Sequence, residues 1–101
     1  MMEIIAENIP IYFDLQEICD RCLADANTVI KLVECGVVEP EGRTATHWRF
    51  SANDYLRLRR ALRLKRDLEI NEPGIALVLE VLDELQAMRA ELKRLRRRLL
   101  I

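Results

Sequence analysis

The chain has 101 residues, half of them apolar and a third charged, with a formal net charge of −1 and one histidine. That is enough for one soluble, helix-rich domain whose core draws on a long helix or a partner chain. No run of about 18 apolar residues is available to cross a membrane. The first stretch holds Glu3 and Glu7 but no Lys or Arg, so it lacks the positive flank of a secretory signal and the cytoplasm is the expected compartment.

In chain order, Ile9–Phe13 is short, apolar and β-prone, with Pro10 suited to a sheet edge. Asp14 then offers a helix cap, with Glu17 three residues on as the second half of a capping box. Leu15, Ile18, Cys19 and Cys22 share one face of that helix at helical spacing. Asp25 caps a second helix that runs to about Glu34. Its apolar stripe is Val29, Ile30, Leu32 and Val33, and Gly36 closes it. Two short helices joined at Leu23–Ala24 predict a helix-turn-helix. A polar turn with Gly42 follows, then a strand over residues 47–50 that would pair with Ile9–Phe13 as a small two-stranded wing. Ser51, with Asp54 three residues later, opens a third helix to about Leu68. Asn71 and Pro73 open a fourth, which runs to about Leu99.

The fourth helix repeats every seven residues. Val78, Leu85, Leu92 and Leu99 fill one heptad position and Val81, Met88 and Leu95 the other apolar one, which predicts a coiled coil and a homodimer. Glu84 and Glu91 would pair with Arg89 and Arg96 in a parallel dimer. An antiparallel one would set acidic residues 80–84 against the basic end around Arg94–Arg98. Both orientations are electrostatically sensible. The organisation expected is thus residues 1–70 as a partner-binding domain and 71–101 as a dimerisation helix.

The small net charge hides a strong asymmetry. Residues 1–45 carry nine acidic residues against three basic, whereas residues 46–101 carry thirteen basic against eight acidic. Acid therefore lies on the helix-turn-helix and base on the third and fourth helices. In the third helix Arg59, Arg63 and Arg66 fall together while Arg57 and Arg60 spread around it. Those arginines suit either loose nucleic-acid binding or, as favoured here, pairing with Asp83 and Glu84.

Cys19, Cys22, Cys35 and His47 together supply zinc-type ligand chemistry. The Cys19-x-x-Cys22 pair, however, sits within a helix and continues its apolar stripe. The cysteines are therefore read as small core residues, and no metal or other cofactor is expected. No nucleophile, base and orienting group are set at catalytic spacing and no Gly-rich phosphate loop is present, so the chain is not expected to be an enzyme.

The order of these pieces resembles the MerR-type winged helix-turn-helix proteins. One branch fits more closely. ECGVVEP, then HWRF, then RLRRALRLKRDLEI and NEPGIALVLEVLDEL resemble the chaperone modulator family CbpM, from about Ile11 to Leu99. The fold this implies is mainly α: a MerR-like winged helix-turn-helix with a small two-stranded wing, then a long C-terminal coiled-coil helix. The function it implies is that of a small dimeric adaptor, which binds the J-domain of a CbpA-like co-chaperone and restrains both its stimulation of DnaK and its DNA binding.

A DNA-reading MerR protein carries polar and aromatic arms just before the glycine. Here those positions are Ile30, Lys31 and Leu32, and Glu34, Glu39 and Glu41 would repel phosphates. Only Arg43 and Arg49 in the wing suit a DNA backbone, so sequence-specific DNA binding is not the expected activity. An acidic face suits the basic second helix of a J-domain instead, with Glu17, Asp20, Glu34 and Glu39 as the candidate contacts. Trp48 is expected to pack under the wing.

Overall fold

Each helix begins where the sequence places an oxygen acceptor. In the computed structural model, which describes residues 11–100, Asp14 accepts a hydrogen bond from the Glu17 amide at 2.8 Å. Glu17 Oε1 in turn accepts from the Asp14 amide at 3.0 Å, closing the capping box of α1 (Leu15–Cys22). Asp25 caps α2 (Ala26–Glu34) by accepting from the Thr28 amide at 2.7 Å. Ser51 and Asp54 form the second reciprocal box, at 3.0 and 2.9 Å, and open α3 (Ala52–Leu68). Asn71 Oδ1 accepts from the Gly74 amide at 2.9 Å at the start of α4 (Glu72–Leu100). Unpartnered amides at helix starts are thus satisfied locally.

The ends are equally local. α2 stops in a Schellman arrangement: the Gly36 amide bonds the Val33 carbonyl at 2.9 Å and the Val37 amide bonds the Leu32 carbonyl at 3.0 Å. Gly36 takes the left-handed conformation, at φ +83°, that this motif requires. α1 ends on Leu23 and α3 on Glu69, both also left-handed, at φ 54° and 53°.

Two short strands, β1 (Tyr12–Phe13) and β2 (Phe50–Ser51), pair antiparallel with Tyr12 opposite Ser51 and Phe13 opposite Phe50. Ile9 and Pro10, the start of the expected first strand, lie outside the described residues. The second strand falls later than expected, because Ala45–His47 form a 3₁₀ turn instead of extended chain. The Thr44 hydroxyl lies 3.0 Å from His47 Nδ1, and the His47 amide bonds the Thr44 carbonyl at 2.9 Å. Such local bonds compete with a ladder and win here. The loop is closed at its base by Glu41 and Arg49, which exchange backbone hydrogen bonds of 3.1 and 2.9 Å. Inside it, a Cβ on Gly42 would meet the His47 carbonyl oxygen at 2.3 Å, so no other residue fits the turn.

The core gathers one or two residues from nearly every element: Ile18, Val29, Leu32, Val37, Val38, Phe50, Leu58, Ala61, Ile75 and Leu79. Trp48 packs against this core and meets Phe50 edge-on at 6.0 Å between ring centres. Phe13 lies 5.5 Å from the Tyr55 ring. The first turns of α4 belong to the same core through Ile75 and Leu79. From Asp83 to Leu100 every residue is exposed. At 1.5 Å per residue the helix is about 43 Å long, and its distal half projects from the domain. The radius of gyration, 16.7 Å, accordingly exceeds the roughly 13 Å of a compact chain this size.

Candidate functional site

The helix-turn-helix surface is built by α1, α2 and the loop from Gly36 to Arg49. On α2 the buried residues are Val29 and Leu32, at 0 % exposure each. That bears out the apolar stripe and corrects only the placing of Leu32 among the positions that would face DNA. Leu32 is not on the outward side of α2 but in the core, because it follows Val29 by three residues on the stripe that faces Ile18. What α2 shows to solvent is Asn27, Lys31 and Glu34, with Ile30 half-buried.

The four candidate carboxylates are all exposed. Glu17 and Asp20 are one turn apart on α1. Glu17 is already engaged in the capping box, and Asp20 accepts a hydrogen bond from Gln16 Nε2 at 2.9 Å. Glu34 ends α2, and Glu39 follows two buried valines in the loop. Among the described residues no ion pair joins any of the four to a basic side chain. Their charges are therefore available to solvent or to a partner. The structure brings Glu17 and Asp20 together on one helix; among the described residues no side-chain hydrogen bond joins that pair to Glu34 or Glu39.

Of the two wing arginines, Arg49 lays its guanidinium over the Tyr12 ring, 4.2 Å from its centre. It braces the loop base against β1 as a cation–π contact. Arg43 stays exposed near the loop tip beside Gly42.

Arg57 has a role the sequence did not reveal. Its Nε donates to the Val37 carbonyl at 2.6 Å, and its Nη2 pairs with Asp83 at 3.0 Å. One side chain on α3 thereby ties the start of the loop to α4. The expected pairing of α3 arginines with the acidic stretch of α4 is thus made by Arg57 and Asp83. Arg59, Arg63 and Arg66 point elsewhere, and the contact of Arg66 is with its neighbour Asp67 at 3.9 Å. Lys65 reaches Glu72 at 3.4 Å across the α3–α4 turn. The Glu72 carboxyl is held below its ordinary range, first by a backbone amide and then by Lys65.

Cys19 and Cys22 are half-buried and pack against the core. Burial pushes both thiols up; Asp20 adds to the rise at Cys19, while Arg59 opposes it at Cys22. Both therefore stay protonated at neutral pH, unlike the thiolate that nucleophiles and metal sites need. Among the described residues no three His, Cys, Asp or Glu side chains converge as a metal site, and no helix is long and apolar enough to cross a membrane.

The seven heptad positions line up on α4. Val78 is half-buried beside the domain. Val81, Leu85, Met88, Leu92, Leu95 and Leu99 are 40 to 85 % exposed. This is a continuous apolar stripe along the projecting half of the helix, larger than the scattered apolar residues of an ordinary surface.

Comparison with known proteins agrees with this architecture. Residues 13–97 match the family described as MerR HTH family regulatory protein. The chain is 39 % identical over 95 residues to the chaperone modulatory protein CbpM of Pseudomonas putida, covering 94 % of each. It is 37 % identical to that of Pseudomonas entomophila with the same coverage. The counterpart from Coxiella burnetii is 41 % identical over 69 residues, 68 % of this chain and 65 % of that one. Near full-length identity to these proteins, together with the family match, shows that the chain belongs to the CbpM family of chaperone modulatory proteins on a MerR-type helix-turn-helix scaffold.

Proposed function

We propose that this protein is a cytoplasmic adaptor, not an enzyme, that binds the J-domain of a CbpA-like co-chaperone and inhibits it. The observation that carries this reading is its near full-length kinship to proteins named as chaperone modulators. The surface chemistry supports it: the helix-turn-helix shows Glu17, Asp20, Glu34 and Glu39 unpaired among the described residues. A basic helix would be steered toward such a face and held there in competition with DnaK. The heptad stripe from Val78 to Leu99 supports a homodimer through α4 as the active species.

DNA reading is the weaker use of this scaffold. Arg49 is engaged with Tyr12, and the exposed Glu34, Glu39 and Glu41 would repel phosphates. The test is a DnaK ATPase assay stimulated by the co-chaperone. Added protein should suppress the stimulation in proportion to its concentration and leave basal DnaK turnover alone. No suppression at a several-fold excess would refute the proposal. Salt-sensitive binding to one promoter sequence over random DNA would assign the scaffold to transcription instead.

A further inference from the structure

A second surface lies where α1 ends against the outer face of α3. Here the chain forms an open cleft of about 490 Å³. Its walls carry Arg21, Arg59, Arg60, Arg63 and Arg66, and no acidic residue lines it. Two of these arginines are set in place by aromatic rings. Arg21 sits 4.7 Å from the centre of Phe13, and Arg59 sits 5.6 Å from that of Tyr55. A guanidinium held over a ring keeps N–H donors free, and a free guanidinium edge can take a carboxylate with two hydrogen bonds. Among the described residues no carboxylate ion-pairs with Arg21, Arg59, Arg60 or Arg63.

The cleft is also apolar. Leu56 is 56 % exposed and Leu23 is 92 % exposed. Leu23 is unusual in its backbone too. At φ 54° it occupies the left-handed position that ends α1, with the following amide bonded to the Cys19 carbonyl at 3.1 Å. Glycine fits that position without strain and would expose nothing. A solvent-facing leucine there is less favourable to the fold than glycine, which points to a use outside it.

We propose that this cleft docks an acidic, amphipathic helical segment of a partner protein. The segment's leucine-like side chains would seat on Leu23 and Leu56, and its carboxylates would meet the arginine row. Arg59, Arg63 and Arg66 follow the spacing of successive helical turns, which matches carboxylates three or four residues apart on a facing helix. A nucleic acid fits less well, because no aromatic side chain lines the cleft to stack on a base and the leucines would face phosphates. This surface adjoins the acidic one at Arg21, which follows Glu17 by four residues on α1, but its occupant is of opposite charge and does not depend on the J-domain reading.

The probe is a fluorescent helical peptide with leucines at i and i+4 flanked by glutamates, titrated by anisotropy against the full chain. It should bind at roughly tens of micromolar. Leu23→Gly should weaken that binding about tenfold, as the loss of one buried leucine implies, while the thermal midpoint stays the same or rises. Arg59→Glu with Arg63→Glu should abolish binding and leave the oligomeric state unchanged. The proposal is overturned if the peptide does not bind, or if polyglutamate of equal charge binds as well. It is equally overturned if single-stranded DNA occupies the cleft more tightly than the peptide, or if the double variant dissociates the protein into monomers, which would make the cleft a contact between copies.

Discussion

Replacing Leu92 with Asp places a carboxylate in the middle of the α4 seam. Leu92 is 48 % exposed in the single chain, so its own helix already covers about half of it. A partner helix would cover the rest, which is about 1–1.5 kcal/mol per copy at the usual value for burying a leucine. The seam contains this position twice, so the apolar loss is about 2–3 kcal/mol. Holding two carboxylates in an apolar seam adds a similar amount or more. A total near 5 kcal/mol corresponds to a three- to four-decade rise in the dimer dissociation constant.

Sedimentation velocity at tens of micromolar should therefore show dimer for the natural chain and monomer for Leu92→Asp. Circular dichroism should still report a folded domain, because Leu92 lies beyond the last core residue, Leu79. Ala90→Asp supplies the control. It adds the same charge two residues away, on the side of the helix facing outward from the seam, and it should remain dimeric. An unchanged dimer for Leu92→Asp, or equal dissociation for Ala90→Asp, would refute the seam.

Three further outcomes follow from the geometry. Gly42→Ala drives a methyl into the His47 carbonyl at a backbone angle that disfavours any side chain, so the thermal midpoint should fall by the several degrees that about 2 kcal/mol implies; a change under one degree would contradict the turn. Asp25 has its carboxyl held below the ordinary range, first by the Thr28 amide and then by the Thr28 hydroxyl. A depressed folded value means stability that is complete at neutral pH and lost as pH falls below about 4 toward that value. Asn caps as well but does not titrate, so the midpoint of Asp25→Asn relative to the natural chain should rise on going from pH 7 to pH 3, and a constant difference would sink this assignment. Cys19 and Cys22, with thiols pushed up by burial, should be alkylated by iodoacetamide at pH 8 more slowly than a cysteine in an unfolded peptide; equal rates would contradict their packing.

The parts of the fold that could be read from the sequence are those held by contacts three or four residues apart. Asp14 with Glu17, Ser51 with Asp54, Asn71 before Pro73 and Gly36 after Glu34 each mark a helix end by satisfying amides or carbonyls nearby, and all four ends fall where expected. The parts that were missed depend on distance in space. Whether Leu32 faces solvent or core depends on where α1 and α4 lie against α2. The turn at Ala45–His47 depends on side-chain bonds among Thr44, Thr46 and His47 that no periodicity signals. Arg57 looked like one of a crowd of basic residues. Its role comes from a carbonyl twenty residues earlier and an aspartate on the next helix. The candidate acidic contacts were legible as charge, but their relation to one another was not, since Glu17 and Asp20 share a helix while Glu34 and Glu39 sit beyond its partner.

The proposed contact joins the acidic helix-turn-helix surface to a basic J-domain. Calorimetric titration of the full chain with the J-domain of a CbpA-like co-chaperone tests it most directly. Binding is expected at tens of micromolar or tighter, weakening as salt rises. Glu17→Gln with Asp20→Asn keeps the capping box and removes two charges, and Glu34→Gln with Glu39→Gln removes two more. The four changes together should weaken binding at least tenfold with the thermal midpoint little altered. No heat of binding at tens of micromolar, or an affinity that ignores all four substitutions and salt alike, would contradict the account.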